Sequence, residues 1–79
     1  MTRVTELRKV DTEIQYYLGN YELGFQFHDV YLTRESEAVL NAIPQILFLT
    51  EIITVDEKVK MHNTIEKEKK KIKEKVSYG

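Results

Sequence analysis

The chain is 79 residues long, carries a net charge of −1, and contains no cysteine and no tryptophan. A single domain is all this length supports, with roughly 60–70% of the unfolded surface buried on folding, so a small core is expected and a deep enclosed active site is not. Without cysteine there is no disulfide framework and no thiolate for metal or nucleophilic chemistry, which points to a reducing cytoplasm, with self-association supplying stability that a small core lacks.

The first ten residues hold no apolar h-region, and the longest unbroken aliphatic or aromatic run is Ile46 to Leu49. Neither a signal peptide nor a membrane span is expected. The small net charge conceals a segregation: residues 1–56 carry four Lys/Arg against nine Asp/Glu, and residues 57–79 carry eight Lys against four Glu. The chain is therefore an acidic body at −5 followed by a basic tail at +4. Such asymmetry favours either association between copies or a tail that meets an anionic partner.

In chain order, Val4, Leu7 and Val10 suit one face of a short helix, while Val10, Thr12 and Ile14 fit a strand. The organising stretch is Thr12 to Phe27. Gly19-Asn20 lies between two alternating runs, Ile14, Tyr16, Leu18 and Tyr21, Leu23, Phe25, Phe27. A two-residue Gly-Asn loop is a hairpin signal, because tight hairpin turns need positive φ. Reversal there pairs Tyr16 with Leu23 and gathers every large apolar residue on one face. The second strand is expected to continue through His28 to Leu32, with Val30 and Leu32 on the opposite face.

Thr33 then reads as a helix N-cap, with Glu35 and Glu37 in the first turn, opening a helix from Arg34 to about Ala42. Pro44, the only proline, ends or kinks that helix, or opens a new one. For Gln45 to Ile53 the 100° clustering of Ile46, Leu49, Ile52 and Ile53 favours helix over buried strand. Thr54-Val-Asp-Glu57 has capping-box spacing and predicts a fresh helix from Val55 to about Val76. Its stripe is Val55, Val59, His62, Ile65, Lys69, Ile72 and Val76, and its charged distal part, residues 66–79, is expected to protrude or to pack on a partner.

Candidate chemistry is sparse. His28-Asp29 is the only adjoining base and carboxylate, and on a strand the two point to opposite faces. His28 and His62 are far apart in sequence, without the converging ligands that zinc requires. Gly19, Gly24 and Gly79 form no phosphate loop. The aromatics Tyr16, Tyr17, Tyr21, Phe25 and Phe27 lack the neighbouring basic residues of a base-stacking platform and read as core, with Tyr17 as the exposed contact residue. No catalytic constellation, cofactor site or metal site is expected.

The anion or nucleic-acid candidates are Lys67, Lys69, Lys70, Lys71, Lys73 and Lys75. With no arginine among them, contact to nucleic acid would be of the phosphate type and strongly salt-dependent. The protein-interface candidates are Tyr17, Val30, Leu32, Ile65, Ile72 and Val76.

Leu32-Thr-Arg-Glu35 with Val39-Leu40, then Val59-Lys-Met-His62 and Ile65, resembles pieces of the three-helix DNA-binding domain that ends many response regulators. The resemblance covers less than half the chain, and the small residues that family uses for close helix packing fall at Leu49 and Ile53 here. It adds weight only to a nucleic-acid reading.

The sequence thus predicts a single α+β domain over residues 1–79: an N-terminal antiparallel β-hairpin packed by two short helices, then a long charged C-terminal helix, associating as a homodimer. The expected function is that of a non-enzymatic interaction protein of the modulator or inhibitor type carried by phages and mobile elements, acting on another protein in the host cytoplasm. The alternative is a nucleic-acid-binding regulator that places its lysine-rich helix on phosphates.

Overall fold

Gly19 and Asn20 do not reverse the chain. In the computed structural model, which describes residues 3–78 and the side chains of residues 7–76, α1 runs from Arg3 to Gln26, α2 from Val30 to Leu49 and α3 from Val55 to Tyr78. No strand occurs among the described residues. The α+β expectation, with its hairpin over 12–27 and a strand continuing to Leu32, is therefore replaced by an all-α bundle of three helices, 40 × 20 × 17 Å in extent.

The reason lies in which apolar residues share a face. Ile14, Leu18, Tyr21 and Gly24 recur at helical spacing and are buried, with Val10 and Tyr17 packed beside the core. Tyr16, Leu23 and Phe27, which alternation placed on that same face, instead lie outside at 61%, 42% and 73% exposure. Apolar residues on both arcs of the helix make the two periods overlap. A 24-residue helix satisfies its interior backbone groups within itself, whereas a lone hairpin needs a cover to be stable.

The two connections are built alike. After α1, His28 takes φ 55°, its N–H donates to Phe25 O (3.3 Å), and Asp29 N–H donates to Gly24 O (2.8 Å). After α2, Glu51 takes φ 62°, its N–H donates to Phe48 O (3.1 Å), and Ile52 N–H donates to Leu47 O (2.9 Å). Both are Schellman closures in which a left-handed residue just past the helix lets two amides return to otherwise orphaned carbonyls. Neither left-handed residue is glycine.

Asp29 both receives the end of α1 and opens α2: its Oδ1 accepts from Leu32 N–H at 3.0 Å. The cap is therefore Asp29, one turn before the expected Thr33, whose hydroxyl donates instead to Asp29 O at 2.9 Å. Val30 and Leu32, expected on a strand, lie in the first turn of α2. Pro44 does not end the helix begun near Arg34; it sits buried inside α2, which continues to Leu49. Its missing amide removes one bond from the helix, and its ring is buried in the interior. The capping box is present as expected, with Glu57 N–H donating to Thr54 Oγ1 (3.3 Å) and Thr54 N–H to Glu57 Oε1 (3.0 Å), and α3 begins at Val55.

The core is Ile14, Leu18, Leu40 and Ile65, with Ile43, Met61 and Ile72 packed against it. Near the α1–α2 turn the helices touch backbone to backbone. A Cβ on Gly24 would stand 2.8 Å from Thr33 N and 3.0 Å from Thr33 Cα, and would also strike Thr33 Oγ1. Gly24 is small where the α2 backbone approaches it at Thr33, and Ser36, three residues further along α2, is buried.

Candidate functional site

Among the described residues, the most enclosed charge is that of Lys69, 5% exposed. The 3.6-residue repeat of α3 that buries Ile65 and half-buries Ile72 carries Lys69 inward between them. Its Nζ donates to Glu66 Oε1 (2.9 Å) and Asn41 Oδ1 (3.5 Å), pairs with Glu37 Oε2 at 3.4 Å, and lies 5.9 Å from the centre of the Tyr21 ring. Tyr21 O–H donates a long bond, 3.5 Å, to the same Glu37 oxygen. One ammonium thus joins all three helices.

The electrostatics follow from these contacts. The hydrogen bond from Lys69 holds the Glu66 carboxyl below the usual carboxylate range, with the charge of Lys69 acting in the same direction. Burial, and then the charge of Glu37, push the Tyr21 hydroxyl up. Among the described residues no buried side-chain nitrogen or oxygen lacks a partner. The cluster is saturated by its own members, and its chemistry is that of a clamp between helices.

The basic residues of α3 do not act as one face. Lys69 is inside, Lys75 reaches Glu22 of α1 at 2.8 Å, and Lys71 pairs with Glu68 at 3.5 Å. Lys67, Lys70 and Lys73 are exposed. Of the interface candidates, Ile65 lies in the core, Tyr17 and Ile72 pack against it, Leu32 and Val76 are half-buried, and Val30 is 61% exposed. His28 stands exposed at the α1–α2 turn while the Asp29 carboxylate caps α2, so the two serve separate ends. The pieces that resembled a response-regulator domain fall on α2 and α3, helices of 20 and 24 residues.

Two apolar surfaces were not anticipated. At the α2–α3 end, Leu49, Val55 and Val59 are exposed beside an open depression of about 660 Å³ lined by Phe48, Glu51, Ile52, Thr54 and Glu57 among others. Lys58 Nζ sits 4.9 Å over the Phe48 ring. The second surface is the outward arc of α1, where Thr12, Tyr16, Gly19, Leu23 and Phe27 all lie exposed. The helical spacing of Tyr16, Leu23 and Phe27, read at 100° rather than 180° per residue, is the signal that marks it.

Among the described residues, no helix is long and apolar enough to cross a membrane, and no group of three or more His, Cys, Asp or Glu is placed to hold a metal ion. No protein-family model matches the chain, and neither a curated protein nor a solved structure matches it.

Proposed function

We propose that this chain is a non-enzymatic interaction protein that acts by occupying a surface of another protein, in the manner of small modulators and inhibitors of phages and mobile elements. The observation that carries this reading is the α2–α3 end, where Leu49, 66% exposed, lines the depression with Phe48 and Ile52, and Val55 at 55% and Val59 at 52% stand exposed on the first turns of α3. Clustered aliphatic side chains around an open hollow are costly to leave in water and mark contact surfaces. Glu51 and Glu57 line the depression and Lys58 stands over its Phe48 ring, so a partner with apolar side chains flanked by charges of both signs fits it.

A photoreactive residue at Leu49 tests this in a lysate of the source cells. A single, saturable protein adduct, lost with Val59→Asp while helicity is retained, supports the reading. Adducts no different from those formed by the same photoreactive residue at Lys67 count against it.

A second reading, contact with nucleic acid through α3, is favoured by the outward placement of Lys67, Lys70 and Lys71. Glu68 and Glu74 on the same helix and the engagement of Lys69 and Lys75 weaken that field. Absence of a gel shift at about 50 mM salt, where phosphate contacts are strong, removes it.

A further inference from the structure

We infer that two copies of this chain associate by exchanging α3, the α3 of each docking between α1 and α2 of the other while the 50–54 link continues as helix. The inference does not rest on the proposed function: exchange is read from mass and crosslinks, partner contact from adducts at Leu49.

The first observation is the link itself. Thr50-Glu-Ile-Ile-Thr54 contains neither glycine nor proline, yet the reversal after α2 holds Glu51 at φ 62°. That conformation is unfavourable for a residue with a Cβ, and a continuous helix relieves it. Ile46, Leu49, Ile52 and Ile53 already share one helical face across the break.

The second observation is phase. Counted at 100° per residue straight through the link, Leu40, Ile43 and Leu47 of α2 and Met61, Ile65 and Ile72 of α3, all buried or packed on the core, fall within one arc of about 60°. Pro44 and Lys69 lie along the same edge of that arc. A turn that reverses the chain imposes no such relation between the helices it joins. A single helix from Val30 to Tyr78 thus carries one unbroken inward stripe, half of it for its own α1 and half for a second copy.

The third observation identifies the occupant. α3 returns antiparallel along α2, with Lys58 over the Phe48 ring near the link and Lys69 against Glu37 farther from it. A two-fold axis through the link lays the α3 of a second copy along α2 in the same sense, so the groove receives the sequence it already fits. The fit is specified by charge: Lys69 meets Glu37 and Asn41 of α2, and Lys75 meets Glu22 of α1 at 2.8 Å. Release exposes little apolar surface, because Ile65 and Lys69 are the only buried residues among those described on α3. Opening gives up the Thr54–Glu57 capping box and the burial of Ile53. Every α3 contact is regained in the other copy, so concentration and the link set the balance.

The test mixes isotopically light and heavy full-length chains, unfolds and refolds them together at sub-millimolar concentration, and separates the products by size. A fraction of twice the 9.4 kDa chain mass is expected. Zero-length carbodiimide coupling then joins the Glu22 carboxylate to the Lys75 amine, and in that fraction the joined peptides are expected to pair light with heavy halves. Glu51→Gly favours the turn over the continuous helix and is expected to lower the dimer fraction. Glu51→Ala with Thr54→Ala favours the helix and removes the cap, and is expected to raise it; circular dichroism confirms that both variants stay helical. A natural chain that remains monomeric overturns the inference. So does a dimer whose Glu22–Lys75 peptides join only halves of one mass, or a dimer fraction that the two link variants do not move in opposite directions.

Discussion

The ammonium of Lys69 is enclosed, with 6% of its side chain exposed, while Glu37, 3.4 Å away, keeps 42% of its own in water. Glu66, the other partner, is similarly open at 46%. Removing one side of this pair is therefore not equivalent to removing the other. In Lys69→Met both carboxylates relax into solvent, and the substitution is expected to be neutral or stabilising by about 1 kcal/mol. In Glu37→Gln with Glu66→Gln the ammonium stays buried without a counter-charge, and a loss of about 2 kcal/mol or more is expected. Urea denaturation of the two variants decides the order; the reverse order would show that the lysine is more hydrated than its contacts indicate.

The two internal glycines of α1 are expected to respond in opposite directions to the same change. Gly24→Ala pushes a methyl group into the Thr33 backbone, 2.8 Å from N and 3.0 Å from Cα, and is expected to cost about 1–3 kcal/mol as α1 and α2 separate. Gly19→Ala meets open space in the single chain and is expected to stabilise the folded monomer by about 0.5–1 kcal/mol. Thermal unfolding at a concentration low enough to dissociate any dimer measures both.

His28 and Glu51 hold left-handed conformations at φ 55° and 62°. A side chain in that region costs about 1–2 kcal/mol, partly offset on substitution because glycine gains freedom in the unfolded chain. Glu51→Gly is expected to stabilise by about 0.5–1 kcal/mol, and His28→Gly by less, since histidine tolerates the left-handed region better than glutamate. Equal destabilisation of both variants in chemical denaturation would mean that the side chains contribute contacts that offset the strain.

Stability is expected to fall at both ends of the pH scale for different reasons. The folded Glu66 carboxyl titrates below its ordinary 4.5, so its contribution is present above the unfolded value and is lost as pH falls through the folded one. The folded Tyr21 hydroxyl titrates above its ordinary 10.0, so its contribution is complete below pH 10.0 and is lost as pH rises through the folded value. Melting temperature against pH is expected to lose part of its acid slope in Glu66→Gln and part of its alkaline slope in Tyr21→Phe.

The parts of this fold legible in the sequence are those set by local chemistry. Thr54 and Glu57 announce the start of α3 because a capping box needs only its own four residues. The clustering of Ile46, Leu49, Ile52 and Ile53 predicted helix over 45–53, which holds as far as Leu49, while Ile52 and Ile53 fall in the link that follows. What was not legible was the N-terminal half, where Gly19-Asn20 offers a turn that the surrounding helix does not take. Tyr16, Leu23 and Phe27 supply alternation because α1 carries apolar groups on both its buried and its outward arcs. Lys69 was read both on the stripe of α3 and among the anion-binding candidates, and only the convergence of Glu37, Asn41 and Glu66 from two helices makes its burial tolerable. That information is tertiary, as is the approach of Thr33 that explains Gly24.

Asp29 belongs to two elements at once, closing α1 through its amide and opening α2 through its carboxylate. The junction consequently has no slack. One residue inserted between Phe27 and Val30 would displace either the closure or the cap and turn α2 by about 100° relative to α1. The 50–54 link divides the same two tasks between separate residues, with Glu51 and Ile52 closing α2 and Thr54 capping α3.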